Sequence, residues 1–164
     1  MVAYDKMEEL DRWALNRLQE LIKKVRTAYG TYQFHVVYYS IYNFCTVELS
    51  ALYLDALKDR LYTSRKNSLA RRSAQSAMFT ILDTLTKLLA PILAFSAEEI
   101  WSAMPSSSKK AASIHLELFP QVNEKYLNKR LADNWQMMIT VKGEISKAVE
   151  AARKAKTIGH SLDA

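Results

Sequence analysis

The chain has 164 residues, 49% hydrophobic and 24% charged, with 23 Lys and Arg against 17 Asp and Glu for a net charge of +6. That balance excludes a disordered segment. Three Gly and three Pro in the whole chain exclude β-sandwiches, barrels and Rossmann folds, which need turn residues at short intervals.

Residues 5–28 repeat Leu10, Trp13, Leu15, Leu18, Leu21, Ile22 and Val25 at three- and four-residue steps, which predicts an amphipathic helix. Asp5, Glu8, Glu9 and Asp11 come early and Lys23, Lys24 and Arg26 late, complementing the helix dipole. Gly30 is the expected C-cap. Residues 32–60 are rich in aromatic and β-branched side chains, and 36–47 would also suit a strand. No turn signal interrupts 31–66, however, and a run that long is not one strand. A helix is predicted. Its apolar residues fill more than one stripe, so the expectation is the central helix of a bundle. Residues 63–67 are a polar connection. A third helix follows over 68–90, with Ala70, Ala74, Ala77, Met78, Ile81, Leu82, Leu85, Leu88 and Leu89 on its inner face, and Pro91 ends or kinks it. Ser96-Ala97-Glu98-Glu99 reads as a capping box opening a fourth helix through Trp101 and Met104. Residues 105–112 form a Ser/Lys loop. Ile114, Leu116 and Leu118 alternate with His115, Glu117 and Phe119, predicting a short extended segment over 113–120. A last helix is predicted over 125–156. The chain stops at Ser161-Leu162-Asp163-Ala164 without a capping element, and a longer natural polypeptide is expected.

The predicted fold class is therefore all-α. A bundle of about four main helices spans 1–104, a connecting loop with a short extended segment spans 105–124, and a C-terminal helical extension spans 125–164.

Little of this chain looks catalytic. Gly30, Gly143 and Gly159 are too far apart for a phosphate loop. His35, His115 and His160 are scattered and have no ligand neighbours at helical spacing, so no metal is expected in this chain. The single cysteine, Cys45, excludes an internal disulfide and predicts a reducing, cytoplasmic setting. It lies in an apolar stretch with no flanking base, and packing explains it better than nucleophilic chemistry. Glu98 and Glu99 are accounted for by the capping box. Residues 1–10 carry acids and no apolar run, so no signal peptide is expected, and no stretch is apolar enough for a membrane span. The chain reads as a binding module.

Its charge is concentrated. Lys58, Arg60, Arg65, Lys66, Arg71 and Arg72 face only Asp59 between residues 58 and 72. Six cations less one acid leave five of the total +6 at one helix–helix junction. Such a patch can neutralise several phosphates, with Tyr53, Tyr62 and Gln75 near enough to stack on or hydrogen-bond to bases. The competing reading is a solvated turn with Arg71 paired to Asp55 or Asp59, and with Arg60 or Arg72 acting as structural clamps. Trp101 is open between base stacking and core packing. Trp13 is expected in the core. Lys147, Arg153, Lys154 and Lys156 are diluted by Glu144 and Glu150, and a solvated helix face is expected there.

A series of strings, in order, resembles the C-terminal region of bacterial-type isoleucyl-tRNA synthetases, a family of class I aminoacyl-tRNA ligases. They begin with Asp11-Arg12-Trp13-Ala14-Leu15 and Ala28-Tyr29 with Tyr32-Gln33-Phe34-His35. Phe44-Cys45 and Leu49-Ser50 follow, then Tyr53-Leu54-Asp55 with Lys58-Asp59-Arg60-Leu61-Tyr62. The series continues through Arg71-Arg72-Ser73-Ala74-Gln75, Leu89-Ala90-Pro91-Ile92 and Ala97-Glu98-Glu99-Ile100-Trp101. It closes with Ser113-Ile114-His115-Leu116, Phe119-Pro120 and Ile158-Gly159-His160-Ser161-Leu162. Valyl enzymes share the opening and the Pro-Ile and Glu-Glu-x-Trp sections, but residues 49–62 look isoleucyl.

The resemblance implies a helical anticodon-binding domain, with residues 125–164 beginning a further tRNA-contacting region. It implies a parent isoleucine–tRNA ligase, ATP-dependent, monomeric and cytoplasmic, with no membrane association. Its partners would be the anticodon arm of tRNA(Ile) and the remainder of the synthetase. The class I signatures and the cysteine-rich tail are missing here, so ATP and Mg²⁺ are expected in a core N-terminal to this chain and zinc in a missing C-terminal tail. On this reading Lys58, Arg60, Arg65, Lys66, Arg71 and Arg72 hold phosphates, while Tyr62, Gln75 and Trp101 meet bases. The alternatives are the same module of a valyl-type enzyme, or a helical protein–protein interaction domain.

Overall fold

The first predicted helix forms as α1 (Glu9–Gly30), burying Trp13, Leu15, Leu18, Leu21, Ile22 and Val25 as the periodicity requires. Leu15, Leu18 and Val25 are wholly buried, each side chain contributing roughly 1.5–3 kcal/mol. The computed structural model describes residues 1–105 and 111–159. These contain α2 (Phe34–Asn43), a π-helical segment (Phe44–Leu54), α3 (Asp55–Thr63), α4 (Leu69–Leu89), α5 (Ala94–Ala103) and α6 (Lys129–Lys154). Short 3₁₀ turns lie at Tyr4–Lys6, Ile114–Leu116 and Glu124–Tyr126, and the described residues include no strand. Two compact units are distinguished, Met1–Leu127 and Asn128–Ala164.

α1 starts later than its charge pattern implies. Residue Glu8 is extended, and its N–H donates to Ser73 Oγ on α4 at 2.9 Å. At the other end, Gly30 is the last helical residue, and the left-handed residue is Tyr32 (φ 56°), which the Gln33 N–H to Ala28 carbonyl bond (2.8 Å) locks in place.

Phe34–Thr63 forms one continuous helical column, as predicted, but it is not central. It packs on α1 and α4 through Val37, Ile41, Phe44, Leu49, Tyr53 and Leu57, while Phe34, Tyr38, Tyr39, Tyr42 and Val47 face outward. Buried positions within the π-helical stretch are five and then four residues apart (Phe44, Leu49, Tyr53). This matches its wider i→i+5 winding and explains why a 3.6-residue count reads that stretch as apolar all round.

α4 opens on Ser68, whose Oγ accepts the Arg71 N–H at 3.3 Å. Ser73 and Ser76 are buried and small, so the start of the chain lies against them. Val2 N–H donates to Ser76 Oγ at 2.9 Å. Of the expected inner residues, Leu82 is exposed. The helix ends at Leu89, before Pro91 as expected.

The capping box is not formed. α5 begins at Ala94, placing Ser96 inside the helix, and no side chain caps it. Glu98 reaches instead to the next segment, where Oε2 accepts from Ser113 Oγ (2.7 Å) and the Ile114 N–H (3.1 Å). That anchor makes Ile114–Leu116 a 3₁₀ turn between extended Ser113 and Glu117. Ile114 is buried but Leu116 and Leu118 are exposed, because the segment has no partner strand to keep an alternation in register. Lys87, on α4, bonds both Asp83 (3.0 Å) and Glu117 (3.1 Å). Burial disfavours its charge, but those two bonds outweigh burial and hold the ammonium above its ordinary pKa. Arg26 donates to the Pro120 carbonyl (2.9 Å) and Asn123 N–H to Gln19 Oε1 (2.8 Å), so residues 111–127 run along the bundle.

In the second unit, Asn128 caps α6 by accepting the Leu131 N–H at 3.0 Å. The α-helix therefore begins at Lys129 and not at 125. Most of the 105–112 loop, His160 and the chain end at Ser161–Ala164 lie outside the described residues.

Candidate nucleic-acid interface

The basic junction is built on a buried acid. Asp11 is 0% exposed and accepts three hydrogen bonds. Tyr53 Oη donates to Oδ1 at 2.8 Å, Arg60 Nη1 to Oδ2 at 2.9 Å, and Ser73 Oγ also to Oδ2. One carboxylate thus joins α1, the π-helical segment, α3 and α4. An ionised group this deep is tolerable only when paired and fully hydrogen-bonded. Burial, and then the Asp11 charge, push the Tyr53 hydroxyl well above the ordinary tyrosine pKa, so it stays a donor.

Two sequence expectations change here. Tyr53 is wholly buried and cannot meet a base. Arg60 is the structural clamp among the cations, spending its charge on Asp11.

The other cations sit around the α3–α4 connection. Arg65 and Lys66 are exposed on it, and Arg72 is exposed on the first turn of α4. Arg72 Nη1 donates to Gln75 Oε1 at 2.9 Å, so these two predicted residues form one unit. Arg71 is half-buried and braces the connection, with Nη1 on the Ser64 carbonyl at 3.2 Å. Lys58 pairs with Asp55 at 2.7 Å, both well exposed, and that bond raises its pKa. Tyr62, in the last turn of α3, is 84% exposed. The junction therefore presents Tyr62, Arg65, Lys66 and Arg72 outward on the rim of two packed helices.

Trp101 is not among them. It is 1% exposed, packed with Ala90, Ala97, Met104 and Ile114, with its indole N–H on the Ala111 carbonyl at 3.1 Å. The ammonium of Lys87 lies 5.6 Å from its ring centroid. No face of this indole is open to a base.

Elsewhere Arg17 and two carboxylates satisfy one another. A cleft of about 380 Å³ between α1 and α2 holds Arg17, Glu20, Lys24, His35 and Glu48. There Arg17 makes a two-pronged bond to Glu48 (2.8 Å each) and also pairs with Glu20. Cys45 is half-buried, and burial pushes its thiol pKa up, away from nucleophilic reactivity. Among the described residues no three His, Cys, Asp or Glu side chains group as a metal site, and no helix is long and apolar enough to cross a membrane.

Residues 11–164 match the family model described as the anticodon-binding domain of tRNA ligase. The chain belongs to that family. Across all 164 residues it is 51% identical to an isoleucine–tRNA ligase of Geobacter sulfurreducens and 49% identical to one of Syntrophotalea carbinolica, covering 17% and 18% of their lengths. An isoleucine–tRNA ligase of Carboxydothermus hydrogenoformans is 48% identical over 163 residues, with 99% of this chain and 18% of the relative covered. The chain thus spans less than a fifth of these relatives. It corresponds to their anticodon-binding region and not to a catalytic core.

What the sequence reading missed in this anticodon-binding domain is the acceptor at its centre. Asp11 stands in a recognisable string, but its partners lie 42, 49 and 62 positions away. The available signal was an acid inside the apolar stripe of α1, flanked by Leu10, Trp13 and Leu15. A carboxylate there has to find a cation.

Proposed function

We propose that this domain binds the anticodon arm of tRNA(Ile) through the α3–α4 junction, as part of a monomeric, cytoplasmic isoleucine–tRNA ligase. The observation that carries the reading is the outward set of Tyr62, Arg65, Lys66 and Arg72 beside a clamp that neutralises only Arg60. Lys66, Arg65 and Arg72 hold phosphates, with Lys58 and Arg71 at the margin. Tyr62 offers an exposed ring to an unstacked anticodon base, and Gln75 positions Arg72. Binding the anticodon arm leaves the distant acceptor end of the tRNA to a catalytic portion outside residues 1–164. ATP, Mg²⁺ and isoleucine belong to that portion, and any zinc to a cysteine-rich tail.

The test is binding of residues 1–164 to an anticodon hairpin of tRNA(Ile) against ionic strength. Three to four phosphate contacts predict a loss on the order of 50-fold between roughly 50 and 200 mM salt. A valine hairpin is expected to bind more weakly at every salt concentration. Salt-independent binding would overturn the reading, and equal affinity for both hairpins would remove its isoleucine specificity.

A further inference from the structure

The column from Phe34 to Thr63 carries exposed tyrosines near both ends, Tyr38, Tyr39 and Tyr42 at one and Tyr62 at the other. Tyr42 follows the buried Val37 by five residues of α2, and Tyr62 follows the buried Leu57 by five residues of α3. At 3.6 residues per turn, both rings stand the same way round from the packed side. An exposed row at four-residue steps joins them: Tyr42, Thr46, Ser50, Leu54, Lys58 and Tyr62. Four residues exceed an α-turn and fall short of a π-turn, so the row keeps to one face as the winding changes. Its ends are roughly 30 Å apart, at about 1.5 Å per residue.

The row holds no acid. Glu48, the one acid between Phe34 and Leu54, is bonded by Arg17, and Asp55 is paired with Lys58. Thr46 and Ser50 carry small hydroxyl side chains, which let an RNA backbone approach and can meet its 2′-hydroxyls.

The end at α2 adds stacking surface and cations. Tyr38 and Tyr42 are stacked at 5.8 Å, and Tyr39 stands edge-on to Tyr38 at 5.2 Å. Tyr39 lines the α1–α2 cleft with Lys24 and His35. A hollow of about 460 Å³ adjoins that cleft, shares Lys24 and Val36 with it and adds Lys23. Arg17 takes up both acids of the cleft, Glu20 and Glu48. Lys23 and Lys24 are exposed, and among the described residues neither is in an ion pair. Exposed rings beside unpaired lysines are the two parts of a platform for unpaired nucleotides, one stacking on bases and the other neutralising phosphates. We propose that Lys23, Lys24 and the platform of Tyr38, Tyr39 and Tyr42 form a second RNA contact. A tRNA held at Tyr62 by its anticodon lies along the row, and the α2 end grips it beyond the anticodon hairpin. This rests on the reading of the α3–α4 junction as the anticodon site.

Binding of residues 1–164 to a full-length tRNA(Ile) transcript and to its anticodon hairpin, each against ionic strength, tests it. The salt slope of the transcript is expected to be steeper by about 1–2, one for each lysine that neutralises a phosphate. Lys23→Ala with Lys24→Ala should remove that difference. Tyr38→Ala with Tyr42→Ala should weaken transcript binding about tenfold at unchanged slope. All four residues are exposed, and hairpin binding by both variants should equal that of the unaltered protein, which reports an intact fold. Equal slopes for transcript and hairpin would overturn the proposal. So would a steeper transcript slope that survives the lysine changes, or a loss of affinity in the tyrosine variant that is the same for the hairpin. Unchanged transcript binding by the tyrosine variant, together with slower aminoacylation by the full-length protein carrying it, would give this face to a protein neighbour and overturn it as well. Failure of residues 1–164 to bind the hairpin would instead strike the anticodon-binding reading, so the two failures are told apart.

Discussion

Arg60 and Arg72 come from the same basic run and do opposite work. Arg60 points inward and is held by a carboxylate with no solvent exposure, whereas Arg72 lies on the surface with only the Gln75 amide oxygen beside it. The difference arises at Asp11. One buried acid takes one cation out of the local excess of five and uses it to fix α3 against α1. A charge count alone therefore overstates the set of outward cations.

The comparison breaks most visibly at the shared acid. Asp11→Ala leaves Arg60 without its carboxylate and Tyr53 and Ser73 without their acceptor, with an expected loss of about 3–5 kcal/mol in denaturant unfolding. Asp11→Asn should lose less, since the amide oxygen still accepts. If Asp11→Ala changes stability by less than about 1 kcal/mol, Arg60 is not a clamp and belongs with Arg72.

The same hub answers to alkaline pH. Tyr53 and Tyr29 are protonated and neutral in the fold. Burial raises both, Tyr29 to about 12. A raised tyrosine contributes stability that is fully present below the unfolded value near 10 and is lost as pH climbs through the folded value. Stability should fall between pH 10 and 12. Tyr53 contributes a slope of up to about 1.4 kcal/mol per pH unit, and half-buried Tyr29 less, because solvent screens it. Tyr53→Phe should lower stability at pH 7 by removing the bond to Asp11, yet flatten the alkaline slope. A slope unchanged in Tyr53→Phe would show that the hydroxyl does not titrate as a buried group.

On the outer side the expected effects reverse. Replacing Arg65, Lys66 and Arg72 together by Ala should leave stability within about 0.5 kcal/mol and reduce the salt slope of hairpin binding by about 2–3. Tyr62→Ala should weaken binding by roughly 1–3 kcal/mol with no change in slope, as loss of one stacked base requires. Trp101→Phe should do neither, costing stability only. If it weakened RNA binding without destabilising the fold, the buried placement of that indole would be the wrong basis for excluding it.

The all-α class and the existence of the main helices were legible because Gly and Pro are scarce and the apolar steps of α1 and α4 are regular. The basic junction was equally plain from Lys58 to Arg72. Which of its members face outward was not, since that depends on contacts across 42 to 62 residues. The exposed aromatics of α2 and the π-helical winding of Phe44–Leu54 together hid the one-sidedness of this column. Ser96 failed as a cap for a local reason. The chain had already turned into α5 at Ala94, where the Ala97 N–H bonds the Leu93 carbonyl at 2.8 Å, and that freed Glu98 to hold Ile114.

The finest distinction concerns Lys58, which is neither clamped like Arg60 nor outward like Arg72. Its bond to Asp55 spans three residues on an exposed helix face, where solvent screens such pairs and they add little. Asp55→Asn should therefore leave stability nearly unchanged. It should also remove a negative charge from the rim of the junction and release the Lys58 ammonium toward a phosphate. The expected gain in hairpin affinity is less than about threefold, and it should vanish as salt rises. A gain that persists at high salt would mean that Asp55 touches the RNA itself. A loss of affinity would mean that the pair positions Lys58, making it a second internal clamp and moving the boundary between inward and outward cations one turn along α3.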